Sequence, residues 1–118
     1  MSGYEDLKIY EKSYKAAIAV RKLTRTFPEE EKYSMTDQMN RASISIPLNI
    51  AEGYAKQESK AEFNRFLSMA LGSANEMEVL ISFAKDFGYI GRDVYEKSKR
   101  EYEEIGKMIR VFKQKIGN

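Results

Sequence analysis

From Tyr95 to the end of the chain, apolar or small side chains fall at Tyr95, Ser98, Tyr102, Ile105, Ile109, Phe112 and Ile116, in alternating steps of three and four. That spacing places them on one face of a helix and on no single face of a strand. A helix so patterned must bury its stripe against other elements. Asp93 with Glu96 predicts its N-cap and third-position partner, and Gly117 a left-handed stop. A second helix is predicted between the capping box of Ser59 and Glu62 and the stop at Gly88. Phe63, Leu67, Ala70, Ala74, Met77, Ile81 and Ala84 form one stripe on it, and Phe66, Met69, Ser73, Leu80, Phe83 and Phe87 a second beside it. A helix in a lone bundle needs one apolar arc, so the surplus points to a central position or a subunit contact. Gly72, Ser73 and Ala74 lie between the bulky ends of those stripes, where a neighbouring helix could approach closely.

The N-terminal half supplies two more helices. One is expected from about Glu5 to Thr26, stopped by the restriction that Pro28 places on Phe27. Ile9, Ala16, Val20 and Leu23 mark its inner face, widened by Tyr10, Tyr14 and Ile18. The next opens on Ser34, with Asp37 as capping partner, and proceeds through Met35, Met39, Ala42, Ile46 and Ile50. From Ser43 to Ile50, however, polar and apolar residues alternate strictly, the period of a half-buried strand, and Pro47 would interrupt a helix. A single strand in an otherwise helical chain has no pairing partner. Connections of about three to seven residues suit antiparallel neighbours. The pattern therefore predicts an all-α, up-down-up-down antiparallel four-helix bundle forming one domain over residues 1–118, with Met1 to Tyr4 and the last two residues loose.

Composition narrows the chemistry. The chain is 42% hydrophobic and 32% charged, with two prolines and a net charge of +2, a balance that favours helix. It contains no cysteine and no histidine. Thiolate catalysis, Ser-His and Cys-His pairs and imidazole metal sites are thereby excluded. No apolar run approaches the roughly 18 residues that span a bilayer, and no signal-peptide pattern opens the chain. The expectation is a cytoplasmic, non-membrane protein that is not an enzyme and needs no cofactor or metal.

Two groups of polar residues stand out. Gln38, Arg41, Ser45, Asn49 and Glu52 recur at steps of three and four, so they share one side of their helix, and Ser73 and Glu76 share another on the next. Glu52 and Glu76 could pair as carboxylates for a metal, but bundle di-iron sites also use Glu-x-x-His. The reading adopted is a structural network of Arg41, Asn49, Glu52, Ser73 and Glu76 that fixes register, with Asn49 satisfying backbone groups released by Pro47 and Gly53 ending the helix. The second group is basic. Lys15, Arg21, Lys22 and Arg25 occur between Ser13 and Phe27, and Lys107, Arg110, Lys113 and Lys115 between Gly106 and Asn118, without an acid in either stretch. Cations in C-terminal helix halves complement the macrodipole. Arg21, Lys22, Arg25, Lys107, Arg110, Lys113 and Lys115 are also the candidate phosphate contacts for RNA or DNA.

The stretch from Arg41 to Gly53 (Arg-Ala-Ser-Ile-Ser-Ile-Pro-Leu-Asn-Ile-Ala-Glu-Gly), Ala70 to Glu76 and the Phe27-Pro28 turn resemble the small bundle proteins encoded by intervening sequences in bacterial 23S ribosomal RNA genes. The resemblance runs from about Leu7 to Ile109. It implies a second helix bent at Pro47, assembly as a homopentameric ring, and a nucleic-acid context. A similar bundle is the accessory subunit of diversity-generating retroelement reverse transcriptases. A ring would repeat each weak basic patch about one axis, five copies of a +2 chain carrying +10. This chain keeps one arginine, Arg41, preceded by Asn40 where many relatives carry a second basic residue. The functional expectation is a noncatalytic oligomeric bundle that binds or scaffolds nucleic acid. The alternative is a protein-protein adaptor whose partner is a nucleic-acid-processing protein.

Overall fold

The computed structural model describes residues 3–117; Met1, Ser2 and Asn118, three of the residues expected to be loose, lie outside that range. Four helices follow one another: α1 (Lys8–Thr24), α2 (Met35–Ala55), α3 (Lys60–Asp86) and α4 (Arg92–Ile116). They pack as a bundle of 44 × 23 × 23 Å. Sequential helices are neighbours, α1 also touches α4, and the α1–α3 and α2–α4 pairs face each other across the diagonals. Among the described residues no strand occurs, and no helix is long and apolar enough to cross a membrane.

The core follows the predicted stripes. All seven residues of the first α3 stripe are buried, as are Met35, Met39, Ala42, Ile46 and Ile50 on α2 and Tyr102, Ile105 and Ile109 on α4. The second α3 stripe divides. Phe66 and Leu80 are buried, whereas Met69, Phe83 and Phe87 are exposed. On α1, Tyr14 and Ile18 belong to the surface rather than to the widened inner face.

Several helix ends differ from expectation. The first helix does not start at Glu5: Tyr4–Asp6 is a separate 3-10 turn, and the Tyr4 ring packs edge-on against Tyr10 at 4.9 Å, so Tyr4 is anchored rather than loose. The link from α1 to α2 spans residues 25–34 and contains the 3-10 turn Glu29–Glu31, longer than a simple bundle connection. Ser34 does occupy the N-cap of α2, but its side chain makes no capping bond. Its hydroxyl instead donates to Glu31 Oε1 at 2.6 Å, and that same oxygen accepts the Met35 N–H at 3.2 Å. Glu31 therefore caps the helix from outside, with a carboxylate placed at the positive end of the macrodipole. The α3 cap is as predicted, Ser59 Oγ accepting the Glu62 N–H at 3.2 Å. On α4 the cap is Gly91, not Asp93, and Glu96 pairs with Arg92. Gly88 and Gly117 both take positive φ, 82° and 85°.

Pro47 lies inside a continuous α2, which removes the strand alternative. Gly53 does not end this helix, which runs two residues further to Ala55. Its role is close approach: a Cβ there would sit 2.9 Å from Phe66 Cβ and 3.3 Å from the Phe63 carbonyl oxygen. Gly72 has the opposite environment, with nothing within 4 Å of a Cβ. The predicted point of helix contact at Gly72 is thus open surface, and Gly53 supplies the contact.

Candidate functional site

The residues grouped as a polar network are distributed along the α2–α3 seam as separate pairs. The Ser45 and Ser73 hydroxyls bond across the seam at 2.5 Å. One turn away Gln38 Nε2 donates to Glu76 Oε2 at 3.3 Å. Arg41 turns to Asp37 on its own helix at 3.6 Å, and both are exposed. Asn49 donates to the Ser45 carbonyl at 2.8 Å. Pro47 deprives the Ser43 carbonyl of its usual helical donor, so Asn49 does not replace that lost bond. Among the described residues no hydrogen bond or ion pair joins Arg41, Asn49, Glu52 and Glu76 to one another. Glu52 and Glu76 are exposed, and no group of three or more His, Cys, Asp or Glu could hold a metal ion among the described residues.

The seven basic candidates occupy opposite ends of the bundle, because antiparallel α1 and α4 both point their C-termini away from each other. Arg21, Lys22 and Arg25 are exposed at one end, and among the described residues none of them is in an ion pair. At the other end the candidates separate. Lys113 is held against α3, donating to Ser68 Oγ and, at 3.4 Å, to the Asn64 carbonyl. Arg110 is exposed, its guanidinium beside the Cα of Gly106 one turn back. Lys107 and Lys115 line a groove between α1 and α4 together with Lys8, Leu7, Val111 and Phe112. Its volume is about 460 Å³.

Lys8 is the residue that the linear reading missed. It precedes the acid-free stretch, and only the antiparallel pairing of the first and last helices brings it beside Lys107 and Lys115. A second missed feature lies at the midpoint of the same seam, where Lys12 reaches Glu101 and Glu104 on α4, each at 3.3 Å. A third is Asn40, whose amide donates to Thr24 Oγ1 at 2.9 Å and to the Thr36 carbonyl at 2.8 Å, tying α2 to α1.

With this arrangement in view, comparison with known proteins is decisive about family. A family model described as 23S rRNA-intervening sequence protein matches residues 5–111. The chain belongs to that family. The crystal structure of a protein of unknown function from the S23 ribosomal protein family of Bacteroides thetaiotaomicron is similar, with a TM-score of 0.81 and 30% sequence identity. The match covers 90% of this chain and 95% of that one. No curated protein matches.

Proposed function

We propose that this intervening-sequence protein is a noncatalytic homo-oligomeric bundle, a pentamer by the family resemblance, that holds nucleic acid through its phosphates. The observation that carries the nucleic-acid reading is the grouping of Lys8, Lys107 and Lys115 around one groove at the meeting of both chain termini. Cations at one site attract a polyanion without reading its bases, and repetition of the site around a ring strengthens the field. Arg21, Lys22 and Arg25 form the corresponding patch at the far end. Arg110 flanks the first patch, while Lys113 is already engaged on α3 and contributes less.

Binding to RNA and to DNA of mixed sequence, titrated against salt, tests this. Affinity should vary little with sequence and fall steeply with salt, each phosphate contact adding about −0.9 to the logarithmic slope on duplex DNA. Lys8→Glu with Lys107→Glu and Lys115→Glu should flatten that slope while the helical spectrum stays unchanged. Absence of measurable binding at about 50 mM salt, a generous condition for electrostatic association, would transfer the function to the adaptor reading, in which the exposed apolar faces engage a nucleic-acid-processing protein.

A further inference from the structure

The groove that gathers Lys8, Lys107 and Lys115 between α1 and α4 is not built from charge alone. Leu7, Ile9, Met108, Val111 and Phe112 also line it, and all five are apolar. Val111 is 47% exposed, while Leu7, Met108 and Phe112 are half-buried. Lysine stems commonly lie along apolar surface with the ammonium in water, yet here they leave Val111 uncovered. Phe112 is held in place by Phe63, 5.7 Å between ring centroids. Glu104, the acid among the lining residues, is already bridged to Lys12 at 3.3 Å. Among the described residues no ion pair engages Lys8, Lys107 or Lys115, and all three are exposed. The groove is therefore cationic at its rim and apolar on its floor.

A ligand that satisfies both parts carries repeated negative charge and an uncovered apolar face in one molecule. Lys107 and Lys115 stand about 12 Å apart along the α4 axis, with Lys8 across the seam on α1. More than one phosphate is thus within reach, and apolar surface lies between the cations. Single-stranded nucleic acid has this form, with phosphates along one edge and bases whose faces are free to leave the stack. A duplex offers the same phosphates but keeps its base faces stacked inside, so the lysines can hold it while the floor stays empty. We infer that the groove prefers single-stranded nucleic acid to duplex, the lysines holding phosphates and the floor of Met108, Val111 and Phe112 receiving an unstacked base. Stacking and apolar contact accept any base, so the preference is for strandedness and not for sequence. This rests on the nucleic-acid reading above and specifies which form of nucleic acid that site takes.

Binding of a short RNA strand of mixed sequence, and of the duplex formed from it, to the full chain at about 50 mM salt tests the preference. A site made only of lysines would favour the duplex, whose counterion release per phosphate is larger. The wild type should instead hold the strand more tightly, because each base on an apolar or aromatic platform adds about 5- to 150-fold. Val111→Ser removes two methyl groups from the floor and should weaken strand binding about fivefold. Duplex affinity, the salt slope and the melting temperature should stay near those of the wild type, since Val111 contacts no phosphate and is half exposed. Val111→Trp places a tryptophan in a chain that has none; its fluorescence should be quenched by the strand and change little with the duplex. Equal or stronger binding of the duplex by the wild type, or a Val111→Ser loss of the same size for both forms, overturns the preference while leaving the nucleic-acid reading intact. An anionic amphiphile meets the same rim and floor, so decanoate is the competing probe. Quenching by decanoate with none by the strand assigns the groove to a fatty-acid-like ligand and also overturns the inference. If neither strand nor duplex binds the wild type at that salt, the nucleic-acid reading fails and the strand preference fails with it.

Discussion

The α2–α3 and α1–α4 seams of the bundle are built by opposite means. At the first, Gly53 lets α2 approach the Phe63–Phe66 turn of α3 closely enough that a single added carbon would collide. The half-buried Ser45–Ser73 pair and fully buried Ile46, Ile50, Leu67 and Ala70 complete the contact. At the second, the first and last helices stand apart. Lys12 bridges to Glu101 and Glu104 at its centre, and a groove opens on either side, about 340 Å³ toward Leu23 and Val94 and about 460 Å³ toward Lys8 and Lys115. The difference teaches that the closest approach in this fold is in the α2–α3 pair, and that the lysine-lined groove opens where the chain closes on itself.

The largest expected effect separates the seams by their packing. Leu67 is fully buried on α3, so Leu67→Ala should destabilise the fold by about 2–5 kcal/mol in chemical denaturation. Leu23, half-buried beside the α1–α4 groove, can be replaced by Ala at less than half that cost, because solvent already reaches the site. Equal losses at the two positions would break the comparison.

Next in size is the glycine test. Gly53→Val forces carbon into the Phe63 and Phe66 contact and should cost about 1–3 kcal/mol through overpacking. Gly72→Ala, in open space on the same pair of helices, should be neutral or stabilising by up to about 1 kcal/mol, the helix propensity gained. Thermal melts of the two variants should move in opposite directions. If both fell, the close approach would not be confined to Gly53.

Sequence reasoning reached the tight seam more completely than the open one, and the reason is physical. Burial against a neighbour imposes a strict period, so every member of the first α3 stripe was legible, as were Met35, Met39, Ala42, Ile46 and Ile50 of α2, whereas the burial of Ser43, Pro47 and Gly53 was not. The capping and stop signals at Ser59, Gly88 and Gly117 are local and were equally readable. What escaped depends on contacts between residues far apart in the chain. Glu31 as an external cap, Lys8 beside Lys107 and Lys115, and Lys12 between Glu101 and Glu104 each require tertiary placement. Gly53 was misread for the same cause: glycine signals both a helix end and a close approach, and only the facing Phe66 distinguishes them. The polar residues of α2 showed their shared side in sequence but not their partners: Gln38 and Ser45 bond across to Glu76 and Ser73 on α3, whereas Arg41 and Asn49 pair one turn back on their own helix.

The ion pairs across the open seam should matter less than the packing across the closed one. Lys12→Met keeps the apolar stem and removes the charge; its expected cost is about 1 kcal/mol or less, since partly solvated pairs are screened. That loss should shrink at high salt, whereas the Leu67→Ala and Gly53→Val losses should not. Glu76→Ala, which breaks an exposed cross-helix bond at the tight seam, should fall in the same small range. A cost above about 3 kcal/mol at Lys12, the scale for breaking a buried pair, would mean that electrostatics rather than packing closes the bundle.

The smallest effect is expected in the pH dependence of the end of the bundle where α1, α2 and α3 turn. Hydrogen bonds from the Ser34 hydroxyl, the Tyr89 phenol and the Met35 N–H hold the Glu31 carboxyl below the usual glutamate range. A carboxyl lowered in the folded state stabilises above its unfolded pKa and loses that contribution as pH falls through the folded value. On the alkaline side the same Tyr89–Glu31 bond, at 2.6 Å, is the main cause that pushes the Tyr89 phenol up to about 12. A phenol raised in the folded state stabilises fully below its unfolded pKa of about 10 and loses that contribution as pH rises through the folded value. Glu31→Gln should therefore lower the melting temperature near neutrality and reduce the decline at both extremes relative to wild type, while Tyr89→Phe should remove the alkaline contribution and reduce the acid decline only in part, because the Ser34 hydroxyl and the Met35 N–H still hold the Glu31 carboxyl down. Melting temperatures of the three proteins from acid to strongly alkaline pH provide the check. Parallel curves would mean that Glu31 caps α2 without coupling to Tyr89, and that the link between the α2 start and the α3 end is packing of Phe27 on the Tyr89 ring, 5.3 Å between centroids.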